Sequence, residues 1–176
     1  MRFYEYGSDI WFGDFEDADC FRIEQTDLYQ KHIKPHGICS AEFLLLRSSN
    51  AQHGHKLLIV EAKKTLAARD TEEFHRNLEG ITRQFMDSLK LAWGIWFGNH
   101  NGRVELPHSY NHLFERGRTV TFVLVIKDRK EDMLYIADTL KNKHLRKERK
   151  LLGFDVKVYN ELQAKGANLV IREITS

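Results

Sequence analysis

The chain is expected to fold as an α/β domain with a mixed central β-sheet flanked by helices. Three observations carry that expectation. Runs rich in aliphatic and β-branched residues, LLIV at 57–60 and TVTFVLVIK at 119–127 above all, have strand character. Elsewhere, apolar residues recur every three or four positions, the period of a helix. SAEFLLLR (40–47) and KLLIVEAKK (56–64) flank the polar, glycine-containing SSNAQHGH, a hairpin loop that makes them antiparallel neighbours. Strands and helices alternate through most of the chain, so the sheet is mixed.

In chain order, residues 1–19 are aromatic and acidic with Gly7 and Gly13, and read as irregular or as a short edge element. Cys20–Glu24 (CFRIE) reads as a short strand. Thr26 is placed to cap a helix through Leu28–Ile33, which Lys34–Pro35–His36–Gly37 ends with turn residues. Ser40–Arg47 is the second strand, with Glu42 inside an otherwise apolar segment. After the next strand, Asp70 to about Ala92 reads as a helix. Phe74, Leu78, Ile81, Phe85 and Leu89 form its apolar stripe, and Gln84 sits on the stripe's edge. Trp93–Phe97 continues apolar into loop chemistry. Thr119–Lys127 is the most strand-like run, and Met133–Lys150 reads as a helix with a basic second half. Phe154–Tyr159 is a strand, Asn160–Ala167 a short helix and Leu169–Ile174 a final strand.

No internal repeat or Pro/Ser-rich linker divides the 176 residues, so a single domain over 1–176 is expected, long enough to bury a core. With 42% hydrophobic and 30% charged residues the composition is that of an ordered globular chain. Cys20 and Cys39 are too few for a disulfide framework and read as free thiols in a reducing compartment. The acidic, aromatic opening lacks the apolar run of a signal peptide. No segment approaches the roughly 20 apolar residues of a membrane span. A cytoplasmic location without membrane attachment is the expectation. A net charge of +2 does not by itself announce a polyanionic partner.

Leu57–Thr65 (LLIVEAKKT) poses the chemical question. Four aliphatic residues run into Glu61 and Lys63, which share one face of a strand while Ala62 faces the other. Charges are rarely buried unless paired or bound to a metal. An acid in one strand, a loop, an apolar strand ending in Glu-x-Lys and then a helix resembles the PD-(D/E)xK nuclease superfamily, of restriction-endonuclease-like fold. The resemblance covers roughly residues 20–95. It rests on Glu42, Glu61 and Lys63, with Gln84 similar to the polar residue that several branches place in the next helix. Glu24 matches an early acid of the family loosely. Ala41 stands where the pattern has Pro, and Glu42 replaces the commoner Asp.

The resemblance implies metal-dependent hydrolysis of a nucleic-acid phosphodiester, DNA in preference to RNA. Mg²⁺ (or Mn²⁺) favours oxygen ligands. Glu42 and Glu61 would supply carboxylates, and the backbone carbonyl of Ala62 a third oxygen. Lys63 would orient the attacking water or steady the developing charge, helped by Gln84. A homodimer is implied by the same resemblance. Lys64 and the basic run Lys141, Lys143, Arg146, Lys147, Arg149 and Lys150 could follow a phosphate backbone, or form a solvated helix face. Glu61–Lys63 could equally be a salt-bridged sheet rim, and Glu42 an edge-strand charge that discourages aggregation. His53/His55 and His108/His112 lack the acid or thiol that would complete a zinc site. The alternatives to an enzyme are a non-cleaving nucleic-acid-binding module and a protein-interaction module using the Trp93–Phe97 patch.

Overall fold

A computed structural model describes residues 1–48, 55–98, 105–112 and 119–171. Five strands form the central sheet in chain order: β3 (Cys20–Phe21), β4 (Phe43–Ser48), β5 (His55–Lys63), β6 (Thr119–Ile126) and β7 (Asp155–Asn160). β4 runs antiparallel to both β3 and β5, whereas β5, β6 and β7 are parallel. The architecture is thus mixed α/β, and the hairpin expected from SSNAQHGH pairs β4 with β5. Residues 49–54 of its loop lie outside the described residues.

The long helix α1 (Glu72–Trp96) makes the crossover from β5 toward β6. It begins where Thr71 Oγ1 accepts the Phe74 N–H at 3.1 Å, and Glu72 and Glu73 in its first turn suit the helix dipole. Its stripe of Phe74, Leu78, Ile81, Phe85 and Leu89 is buried against Leu57 and Ile59 of β5 and Phe122 of β6. Phe85 and Phe122 stack with ring centroids 4.8 Å apart. The helix outruns its expected end because Leu91, Ala92 and Ile95 remain buried.

The opposite face of the sheet has another cover. β1 (Arg2–Glu5) and β2 (Ile10–Gly13) form a separate antiparallel hairpin, where the sequence suggested only an irregular or edge element. Phe3 and Phe12 pack on Phe43 at 5.3 and 5.0 Å. Helix α4 (Glu161–Gly166), opened by an Asn160–Gln163 capping box, lays Ala164 on the same cluster. The final segment joins this hairpin and not the central sheet. Phe12 bridges to Val170, and the Ile171 N–H donates to the Trp11 carbonyl. Residues 172–174 of the expected last strand lie outside the described residues.

Three other expectations need correction. CFRIE is a strand only at Cys20–Phe21, and Ile23–Gln25 turns as a 3₁₀ helix. Thr26 does cap the next turn, its hydroxyl accepting from the Tyr29 N–H, but that turn is π-helical over Tyr29–Ile33. Met133–Lys150 is not one helix. It divides into α2 (Met133–Thr139), a π-turn at Leu140–His144 and α3 (Arg146–Leu152). The break turns both Leu140 and Leu145 fully into the core, while α3 buries none of its residues. Side-chain burial overrides continuity here. Among the described residues no helix is long and apolar enough to cross a membrane.

Candidate functional site

Alternation along β5 sends Leu57, Ile59, Glu61 and Lys63 toward α1, and Leu58, Val60 and Ala62 toward the N-terminal hairpin. Glu61 therefore enters an apolar layer and is 0% exposed. Phe43 pairs with Val60, so the residue before Phe43 comes opposite the residue after Val60. That register aligns Glu42 with Glu61 on the α1 face. Glu42 itself sits in the bend before β4, not inside the strand as expected. The backbone there is taken by α1: the Ala41 N–H donates to Ser88 Oγ at 2.7 Å, and Gln84 Nε2 donates to the Ser40 carbonyl at 3.4 Å.

Burial first, and then the charges of Glu61, Glu5 and Glu24, push the Glu42 carboxyl well above the usual carboxylate range. Burial also raises Glu61, opposed by Lys63 and by the neighbouring Gln84 amide, and reinforced by Glu24. Glu24 is raised by its own burial, against the neighbouring Ser40 hydroxyl. Lys63 Nζ lies 2.7 Å from Glu61 Oε1. Even so, neither buried Glu61 oxygen accepts a hydrogen bond of good geometry from it, so the contact is an ion pair by distance alone. Lys63 and Gln84 thus stand beside Glu61, and Glu24 and Glu42 are near enough for charge to act between them and Glu61.

Glu5 belongs there too, and sequence reasoning missed it. It lies close enough to help raise the Glu42 carboxyl and is 3.5 Å from Arg22 Nη2. The signal was present in RFYE…IWFG, whose alternation around Gly7 places Phe3 and Glu5 on one face. Phe3 docking on Phe43 then carries Glu5 toward the neighbouring Glu42.

No family model, curated protein or solved structure matches this chain. The residues themselves must carry the chemical reading. Their donor set suits a hard divalent cation: the acids offer only oxygens, and both Glu61 oxygens are buried without a hydrogen bond. The acids are not already closed to ligand distances, because among the described residues no three His, Cys, Asp or Glu form a metal-holding group. His53 lies outside the described residues, and His108 is exposed in the turn at His108–His112.

The suggested backbone-binding cations are dispersed. Lys64 Nζ stands 3.7 Å from Asp9 Oδ2, and Lys141 Nζ 3.2 Å from Asp155 Oδ1. Asp155 pairs with Thr121, which pairs with Leu58, three residues before Glu61 and so about 10 Å back along the sheet. Lys143 contacts His75 at 3.4 Å. Arg146 and Lys147 lie on exposed α3, still further along the chain from the acids. Lys141 is thus set back from Glu61, whereas Lys143 stands next to the first turns of α1.

Ser88 is the positioning residue with the clearest consequence. Its fully buried hydroxyl is the acceptor for the Ala41 N–H, one residue before Glu42. Ser88→Ala is expected to cost about 1–3 kcal/mol, the penalty of an unsatisfied buried donor, in chemical denaturation. Ser88→Thr, which keeps the acceptor, should recover part of that loss.

Proposed function

We propose that the protein is a metal-dependent nuclease of PD-(D/E)xK type and restriction-endonuclease-like fold, hydrolysing phosphodiester bonds of DNA in preference to RNA. The observation that carries this reading is the fully buried Glu61 on the α1 face, with Lys63 against it and Glu42 aligned by register. The order of acid, hairpin, Glu-x-Lys and helix is realised by Glu42, β4–β5 and α1. Glu42 and Glu61 would hold Mg²⁺ or Mn²⁺, with the Ala62 carbonyl as a third oxygen and Glu24 and Glu5 as nearby acids. When bound, the ion supplies polarisation of the phosphate and a more acidic water.

The protein's own groups do the rest. Lys63 holds a water for attack or donates to a non-bridging phosphate oxygen, where its fixed charge opposes the growing negative charge. Gln84, which donates to the Ser40 carbonyl beside Glu61, keeps the acid's neighbours in place. The apolar stripe around Glu61 excludes bulk water and strengthens each of these contacts. A homodimer remains part of the proposal.

The test is incubation of pure protein with plasmid and single-stranded substrates, with and without Mg²⁺ or Mn²⁺. Ion-dependent cleavage that disappears in Glu61→Ala and Lys63→Ala is the expected result. A second reading, a non-cleaving nucleic-acid-binding module, draws on the open arrangement of the acids among the described residues. It predicts binding without cleavage, unaltered by either substitution.

A further inference from the structure

Lys63 and Gln84 also line a cleft of about 290 Å³ between the turn after β5 and the exposed side of α1. Thr65 lies on the strand side, and Arg76, Asn77 and Gly80 on the helix side. No described acid lines this space, although it opens beside the carboxylates. Asn77 Oδ1 already accepts the Ala67 N–H at 3.2 Å, so its amide NH₂ is what remains to offer. Arg76 reaches Glu72 only at 3.9 Å on the surface, a pair too weak to withhold its charge. Around an apolar floor of Leu66 and Ile81, the polar groups of the cleft are mainly donors.

Gly80 is the residue that indicates an occupant. It stands inside a long helix, where glycine is less favourable than alanine, yet a Cβ there would meet nothing within 4 Å. Among the described residues nothing requires its smallness, and the open space leaves room for a backbone from outside the chain to lie against the helix. The cleft is at the small end of ligand pockets and has room for one nucleotide. An intact duplex, whose major groove alone is about 12 Å wide, does not enter it.

We infer that this cleft takes one nucleotide of a single-stranded nucleic acid, with Lys63, Arg76 and the Asn77 amide on its phosphate and Gly80 as the surface its backbone lies against. The inference rests on the nuclease reading and deepens it by naming the strand state of the substrate. Unpaired strands or frayed ends are the form that can reach Lys63.

Fluorescence anisotropy with short labelled single strands of DNA and of RNA, and with the matching DNA duplex, tests it. EDTA is included so that binding is read without cleavage. Both single strands should bind at least about tenfold tighter than the duplex, a difference of about 1.4 kcal/mol. Arg76→Ala should weaken single-strand binding about fivefold and lower the salt slope by about one. Gly80→Leu should weaken it at least about tenfold while leaving the melting temperature unchanged or raised, because leucine is the better helix former and the space is open. Arg149→Ala, on α3, should leave binding unchanged. Duplex preferred over single strands, or Gly80→Leu and Arg76→Ala both binding like the parent, would overturn the inference. Failure of the nuclease reading shows differently: single-strand binding persists and responds to these variants, but no cleavage appears when Mg²⁺ replaces EDTA.

Discussion

Glu42→Gln is expected to melt several degrees higher than the parent protein at pH 8, with the difference shrinking toward pH 5. The carboxyls of Glu42 and Glu61 are both held above their ordinary value of 4.5 by burial, and Glu42 also by neighbouring acids. The folded protein therefore keeps protons that the unfolded chain has released. Their contribution to stability is fully present below pH 4.5 and is lost as pH rises through the raised values. Glutamine has the shape of the protonated acid without the charge, so it removes the penalty where it is largest. A gain of about 1–2 kcal/mol is typical when a functional site is relieved in this way. In a chain of this length each kcal/mol moves the midpoint by roughly 2–4 °C.

Saturating Mg²⁺ should produce a comparable rise in the parent protein, about 2.7 kcal/mol at a hundredfold excess over Kd, and much less in Glu42→Gln. Scanning calorimetry at both pH values, with and without the ion, reads all four combinations. If Glu42→Gln and parent melt together at pH 8, the cluster is not under electrostatic tension. If Mg²⁺ stabilises both equally, Glu42 is not a ligand.

Lys63→Met is expected to act in the opposite direction on stability and to abolish cleavage. Lys63 is the cation against Glu61, an acid with 0% exposure, while Lys63 itself is 36% exposed. Its removal leaves the acid to take up a proton or stay charged without a partner. Screening at the exposed ammonium tempers the effect, so a loss of about 1–3 kcal/mol at pH 8 is expected, smaller at pH 5 where Glu61 is already protonated. Cleavage should fall by about 10²–10³-fold, the usual effect of deleting one preorganised donor. Lys63→Met combined with Glu61→Gln should recover the stability but not the cleavage. Recovery of neither would mean that the pair is not what couples charge to folding. Recovery of both would remove Lys63 from the chemistry.

Much of this site is legible in the sequence because strand period and helix period are strong signals. The aliphatic run before Glu61 fixes its face, and the α1 stripe of Phe74 to Leu89 identifies the layer above it. The loop between the two strands identifies them as partners, but no sequence rule gives register, so the alignment of Glu42 with Glu61 needed coordinates. Glu5 escaped notice for a different reason. Its strand is four residues long, and its closeness to Glu42 is created only by Phe3 packing across the sheet. The break at Leu140–Leu145 was hidden because a run of lysines and arginines masks two leucines that the core claims. Local pattern is a good guide to what an element is. It is a poor one to where a distant element docks.

The bridge between Phe12 and Val170 has a consequence for how the protein comes into being. Glu5 is delivered by a hairpin that is itself fastened by residues far along the chain, Val170 and Ile171. Contacts so distant in sequence form late and slowly. The acidic constellation is therefore among the last features to assemble as the chain folds, and loosening the Phe12–Val170 bridge would be felt at Glu5.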